Sequence, residues 1–443
     1  MKHLFSFKSL ALFFIVITFL ITSILYFKNS KNPPRPNVIW FSIDTLRAKS
    51  LKAYGNSRET SPFLSEFGKK SIIFKNVIAQ GPVTQVSHYS MLTGYYPNKH
   101  RVLLRTSTEQ LSPQVKIAAE YFQQEGYFTF LAGSFHSGGP LDPAKGLNRG
   151  AESIIPYDLF ITPKEKENAL KILENETQKP IFAFIHTSMV HGPYLDFEHC
   201  QLQGPANYHG KMIWQKDPLI KAFEQQDNNK IQYGEKSYSY LDYFFALVDI
   251  SNPKDIEQLT ALYERGIRCM DSELKNFLER LTQGLKNGRE NIIIVTADHG
   301  ESLGEHQLLQ HGNMYDENIK IPLIISLPNT PNKEISTPIR SIDILPTVLD
   351  YLKIVRPVDI DGESLLALIH SSKESDHFKY AFSQHKNKYA VYKNQFKFIH
   401  MNGSDELYDL SKDPEEKKNI INEFPEVAFE LKDEFFRYSV QTQ

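Results

Sequence analysis

The sequence predicts an α/β fold: a mostly parallel sheet with helices on both faces, followed by a small antiparallel sheet and a closing helix. Three observations carry this. Five short apolar runs, Asn37–Ile43, Ser71–Val77, Pro180–Ile185, Asn291–Ala297 and Ile321–Leu327, are too brief for helices and lack strict alternation, as parallel strands buried on both faces do. Helical patterns at Ser112–Gln124, Ile256–Leu281 and Ile342–Leu352 lie between or beyond them, and strands alternating with helices argue a covered parallel sheet. After Ser371 the pattern changes to the alternating segments KYAVYKN and QFKFIHM, then ELYDL and an amphipathic helix near Glu426 to Tyr438.

In chain order, the first element is a membrane signal. Leu10 to Phe27 is an apolar run broken only by Thr18, Thr22 and Ser23, about 27 Å long as a helix and enough to span a hydrocarbon core. Lys2 and Lys8 precede it, which keeps residues 1–8 in the cytoplasm. Tyr26, Phe27 and Lys28 follow where a cleaved signal peptide would carry small residues, so an uncleaved anchor at 9–27 is favoured over a signal peptide. Residues 28–35 form a polar, Pro-rich linker. The expected location is the inner membrane, single-pass, with the rest of the chain periplasmic or extracellular.

Residues 36–370 then read as one large catalytic domain and 371–443 as a C-terminal subdomain, which 443 residues accommodate. Gln201 to Val248 break the rhythm with Gln, Asn, Lys and Tyr, and read as a lid-like insertion over the site. The formal charge of −2 and the lack of any basic block exclude a nucleic-acid partner. Cys200 and Cys269 form no framework or metal motif; a single bridge between them is open, and two buried free thiols are the favoured expectation.

Ligands of such sheets bind beyond the carboxyl ends of the strands. Asp44, His186 and the pair Asp298 and His299 all fall there. A fourth stretch, GPVTQVSHYSMLTGYYP from Gly81 to Pro97, sets Thr84, Ser87, His88, Ser90 and Thr93 between a Pro-broken loop and a Gly turn. It is shaped to present a nucleophile. A hydroxyl needs a metal or base to attack, so the loop needs those strand-end partners.

These residues resemble the sulfatase branch of the alkaline phosphatase superfamily. GPVTQVSHYSMLTGYYP is similar to the signature CxPSRxxxxTG followed by YP, and NIIIVTADHGESLGEH is similar to the second metal motif. IWFSIDTLRAKSLKAYG, HTSMVHGPY, IPLIISLP, RSIDILPTVLDYL and ELYDLSKDPEEKKNI follow the family's order from Asn37 to the C-terminus. The resemblance implies an alkaline-phosphatase-like fold and a hydrolase of sulfate or phosphate esters.

It also implies roles, residue by residue. Asp44, Asp298 and His299 would hold one divalent metal, with Thr84 as a further ligand. One fewer carboxylate, Thr45 standing where many members have a second Asp, and one imidazole favour Mn or Zn over Mg or Ca. Thr84 falls on the cysteine that becomes formylglycine in sulfatases; threonine cannot be converted, so it would attack directly. His88 stands at the motif arginine and would act with the catalytic groups by hydrogen-bonding the nucleophile or an ester oxygen. His191 in HTSMVHGPY and His311 in QHGN would contact the ester or its leaving group, with His186 beside them and His136 of GSFHSGG as a looser substrate contact. Asp271, Asp343 and Asp409 read as structural caps or ion pairs. Two alternatives remain open: a phosphoethanolamine- or phosphoglycerol-type transferase working on an envelope glycan or lipid head group, and a binding protein without catalysis.

Overall fold

A computed structural model describes residues 34–103, 110–137, 139–194, 200, 231–233, 236–371 and 377–441. The expected anchor at 9–27 lies outside these residues, as does most of the expected insertion at 201–248. Among the described residues no helix is long and apolar enough to cross a membrane.

Strand β1 (Asn37–Ile43) is the axis of the site. All seven of its residues are buried, and it runs parallel between β5 (Ile181–Thr187) and β8 (Asn291–Ala297). Ile43 is level with Thr187 on one side and Ala297 on the other. The next residues, Asp44, Ser188 and Asp298, therefore leave the sheet at one height. The large sheet continues outward through β3 (Phe128–Ala132) and β4 (Ser153–Ile155) on one side. On the other side lie β11 (Lys320–Ser326), β2 (Ile72–Ile78), β12 (Lys333–Ile335) and β13 (Ile339–Arg340). Two short hairpins stand apart, β6–β7 (Ile231–Tyr233, Lys236–Tyr238) and β9–β10 (Ser302–Leu303, Leu309–Gln310).

Four expectations need correction. β11 is antiparallel to both neighbours, β2 and β8. It is buried on both faces like a parallel strand, and an apolar run carries no direction. The nucleophile stretch is not a loop but a helix, Thr84–Thr93, all ten residues of which are buried. A helix covered all round has no polar face and so no amphipathic signature. Gly94, at φ 74°, ends it in the left-handed conformation that glycine adopts without strain. The helix expected from Ser112 begins only at Ala118 and runs to Gln124, because Glu120 reaches back to the Ile117 N–H at 3.0 Å and fixes the start there. Finally, Cys200 and Cys269 form a disulfide, their Cα atoms 5.3 Å apart. The partners are 69 residues apart in sequence, and that spacing held no signal.

The long helix Pro253–Gly284 buries an apolar stripe including Leu259, Ile267, Leu274 and Phe277 and starts on an Asn252 cap with Pro253 at its first turn. Its Asp271 accepts from the Phe63 and Leu64 N–H groups at 2.8 and 2.9 Å, capping helix Pro62–Gly68. Asp343 pairs with Arg340 at 2.8 Å, and Asp409 with Lys412 at 3.0 Å. All three are structural.

After residue 377 the chain forms an antiparallel sheet of β14 (Ala381–His385), β15 (Lys388–Lys393), β16 (Phe396–Met401) and β17 (Ser404–Asp409). Helix Pro425–Gln441 closes it, with Phe435 stacked on Tyr389 at 3.8 Å. The small sheet docks on the large domain through polar groups. Buried Lys397 reaches Asp316 at 2.7 Å and Glu416 at 2.5 Å, and Gln384 N–H donates to the Gln80 carbonyl at 3.0 Å.

Candidate active site

Asp44 at the end of β1 and Asp298 at the end of β8 meet below the amino end of helix Thr84–Thr93. Asp298 Oδ1 accepts from the Thr45 N–H at 3.2 Å and the His299 N–H at 2.8 Å, while Oδ2 has no hydrogen-bond partner. Asp44 Oδ1 is likewise buried and unpartnered. His299 Nδ1 donates to the Gly300 carbonyl at 2.9 Å, which turns the Nε2 lone pair toward these carboxylates, 3.6 Å from Asp44 Oδ1 and from Asp298 Oδ2. Ligand atoms of the three residues lie within 4.8 Å of one another. Orphaned carboxylate oxygens facing one imidazole nitrogen suit a divalent cation.

Local strain holds this geometry. Thr45 adopts φ 59°, rare for a β-branched residue. Its hydroxyl turns back to the Asp44 carbonyl at 2.7 Å, and its own carbonyl accepts from Tyr263 OH at 2.7 Å. Gly300 admits no side chain, because a Cβ there would lie 2.0 Å from the Glu317 carbonyl oxygen.

Thr84 is the first residue of its helix, with Oγ1 3.3 Å from His299 Nε2. One turn on, Ser87 Oγ donates to the Asp298 carbonyl at 2.5 Å and locks the helix to β8. His88 does not line the cavity. It is fully buried beneath Thr84, its Nδ1 donating to the Thr84 carbonyl at 2.7 Å and its Nε2 accepting from Ser42 Oγ at 2.9 Å.

Burial works against ionised Asp44, yet His191, His186 and His299 hold its carboxyl well below the usual carboxylate range. Burial and then the Asp44 charge push Asp298 up to about 6. Desolvation pulls His88 down to about 4, and burial with His311 pulls His299 down to about 3. Burial also opposes a charged His311, but Glu301, 3.2 Å from its Nδ1, raises it to about 8.

A cleft of about 420 Å³ opens above Thr84, lined by Asp44, Gln85, His191, His311 and others. The rings of His299, His311 and His191 follow one another at 4.5 and 5.3 Å. Of the residues expected in the site, Asp44, Thr84, His191, His299, Asp298 and His311 come together here. His186 is buried behind them, with Nε2 3.6 Å from Asp44 Oδ2. His136 is exposed and bonds only its neighbour, the Ser137 carbonyl, at 3.3 Å; Ser134 and Pro140 of the same loop line the cleft instead.

This arrangement matches a known family over most of the chain. The model for "Sulfatase" matches residues 36–354, and that for "N-sulphoglucosamine sulphohydrolase, C-terminal" matches residues 304–441. The chain belongs to the sulfatase family. It is a sulfatase-like ester hydrolase, and sulfatases typically bind a divalent metal at buried His and Asp groups such as these. An uncharacterized sulfatase of Escherichia coli is 25% identical over 91% of this chain and 87% of its own. A Δ4,5-hexuronate-2-O-sulfatase of Bacteroides thetaiotaomicron is 22% identical over 88% and 85%. In fold, the phosphonate monoester hydrolase of Agrobacterium radiobacter superposes with a TM-score of 0.72 at 20% identity, covering 92% of this chain and 96% of that one.

Sequence reasoning missed five residues of this sulfatase's site. Gln85 lines the cleft beside Thr84. Glu301 holds His311. Asp158 accepts from the Ser188 N–H at 2.5 Å and from Thr187 Oγ1 at 3.0 Å, fixing the turn that leads to His191. His385 and Lys386 arrive from the C-terminal sheet, so the site does hold a fixed cation. Gln85 and Glu301 lie inside the two quoted motifs at positions that the resemblance assigned no role, Asp158 lies in none, and the last two come from a subdomain read as separate from the site.

Proposed function

We propose that this sulfatase-family chain hydrolyses a sulfate or phosphate ester carried on a carbohydrate, with Thr84 as nucleophile and one divalent metal held by Asp44, Asp298, His299 and Thr84. The observation that carries the reading is the position of Thr84 Oγ1, at a helix amino end on the cleft floor and 3.3 Å from His299 Nε2. A hydrolase named for a hexuronate 2-O-sulfate and a related structure holding a D-glucosamine disulfate support a carbohydrate substrate. Mixed carboxylate and imidazole donors favour Mn or Zn. The apolar run at 9–27 supports an anchored enzyme facing the periplasm or cell exterior.

A metal bound there would neutralise the ester oxygens and lower the pKa of the Thr84 hydroxyl. The amino end of the helix that starts at Thr84 also favours negative charge there. Thr84 Oγ1 releases its proton to water in the cleft and forms a bond to sulfur or phosphorus as the bond to the alcohol oxygen breaks. The departing oxygen takes a proton from His311, which Glu301 orients through Nδ1 and leaves Nε2 toward the cleft. His191 Nδ1 donates to the Gly192 carbonyl at 2.5 Å, which orients the ring so that Nε2 meets a substrate hydroxyl or the water that later cleaves the Thr84 ester. His88 and His186 position Thr84 and Asp44 from below.

The test is turnover of matched aryl sulfate, phosphate monoester and phosphodiester substrates after reloading Mn, Zn, Mg or Ca. Thr84→Ala is expected to abolish turnover of the preferred ester. Turnover that survives the substitution would overturn a threonine nucleophile in favour of a metal-activated water.

A further inference from the structure

The cleft is also lined by polar groups that the reaction does not use, Gln85 and Lys386. Gln85 is 3% exposed, and neither its Oε1 nor its Nε2 has a hydrogen-bond partner. Tyr89, one helical turn on, donates its hydroxyl to the Lys145 carbonyl at 2.7 Å and keeps its oxygen near the Gln85 amide, short of the geometry of a full bond. A buried amide left open on both atoms is costly unless a ligand completes it.

Above it stands the turn between β14 and β15. His385 is level with Lys388, so Lys386 and Asn387 form the whole turn. Lys386 has φ 57°, a conformation that glycine or asparagine adopts more easily, and its side chain is exposed on the cleft. The turn is clamped on two sides. Gln384 N–H donates to the Gln80 carbonyl at 3.0 Å, near the start of the Thr84 segment, and Lys388 Nζ donates to the Gly312 carbonyl at 2.9 Å, next to His311. A strained lysine held over the nucleophile and its proton donor is a placement, not a loose surface charge.

We propose that Gln85 and Lys386 form a second subsite, which takes an anionic group of the substrate next to the ester under attack. That group is an oxyanion, a carboxylate or a further sulfate or phosphate, bonded by the amide at the wall and by the ammonium at the rim. The substrate is then an ester on a polyanionic carbohydrate. This rests on reading the cleft as the ester site.

The test uses inert probes on the full, metal-loaded protein, so that it does not depend on turnover. Calorimetry compares benzenesulfonate with 4-sulfobenzoate, phenylphosphonate with 4-phosphonobenzoate, and benzenesulfonate with benzene-1,4-disulfonate. The second member of at least one pair is expected to bind about three- to fivefold more tightly, the scale of one exposed charge contact, with the advantage falling as salt rises. Lys386→Met is expected to bring that ratio to about one, weakening the second member of the pair more than the simple probe, and Lys386→Arg to restore it. The carboxylate and disulfonate arms tell the two kinds of oxyanion apart. No preference in any pair, no binding of any probe, or a preference that survives Lys386→Met would overturn the subsite. Loss of the threonine nucleophile in the turnover assay would leave this ratio untouched, so the two readings fail separately.

Discussion

Gln85→Leu should make the protein more stable while weakening its grip on ligands. The side chain is buried with two polar ends unmet, and each such group forfeits its hydration at about 1–3 kcal/mol. Leucine has nearly the same volume, keeps a good helix former in helix Thr84–Thr93 and removes both orphans. The cleft of about 420 Å³ beside it lets water recover part of the loss, so the net gain should sit near the lower end, about 1–2 kcal/mol. In a chain of this size that corresponds to a rise of roughly 1–2 °C in Tm. Thermal unfolding by circular dichroism at fixed metal concentration measures it, and calorimetry with 4-sulfobenzoate or 4-phosphonobenzoate measures the other half. A lower Tm for Gln85→Leu would refute the reasoning, because it would show that the amide is bonded within the fold and is not kept open for a ligand.

Two further predictions follow from the buried charges and rings. Stripping divalent metal should lower Tm, and restoring it at about 100 times its Kd should return about 2.7 kcal/mol; Asp298→Asn should abolish the response, and an undiminished response in that variant would place the metal elsewhere. His100 is buried, donates from Nε2 to Ser90 Oγ at 2.9 Å and accepts the Val102 N–H on Nδ1 at 3.1 Å, and burial lowers it to about 3. Its folded pKa lies below the value near 6.5 in the unfolded chain, so its contribution is complete above about pH 6.5 and is lost as pH falls toward 3, at about 1.4 kcal/mol per pH unit. Urea unfolding between pH 7 and 4 should show this slope, and His100→Gln should reduce it by one proton's worth; an unchanged slope would exclude His100 as its source.

What the sequence disclosed follows from how each feature is encoded. β1 and β8 were legible to the residue because a strand buried on both faces must be continuously apolar, and each ends on a carboxylate that its own interior cannot house. The same physics hid the direction of β11, since burial on both faces looks alike whichever way the strand runs. Helix Thr84–Thr93 was invisible as a helix for a related reason: it has no solvent face, so nothing in its periodicity marks one. Lys386 and Gln85 were hidden differently. Their significance lies in contacts between β14, the Gln80 backbone and the cleft, segments some three hundred residues apart, and no local pattern records such a meeting. His136 shows the converse, a motif-like residue that the backbone carries onto the surface.

The charges in the cleft also bear on what it binds. With Thr45 in place of a second Asp, two carboxylates, Asp44 and Asp298, face the metal position, and one divalent ion would balance them. His311 and Glu301 form a pair that cancels when the imidazole is protonated. Lys386 is then the remaining formal charge among the residues that line the cleft. A site with a neutral metal centre and one outlying cation has little reason to prefer a dianion at the reacting ester. On the reading proposed above it would favour a singly charged ester whose neighbouring group carries the second negative charge, as on a sugar bearing both an ester and another anion. A carboxylate at position 45 would shift this balance by one unit at the metal and favour the ion over the substrate. On the same reading the threonine, with its hydroxyl turned back onto the Asp44 carbonyl at 2.7 Å, would keep the centre neutral and leave selection to the rim.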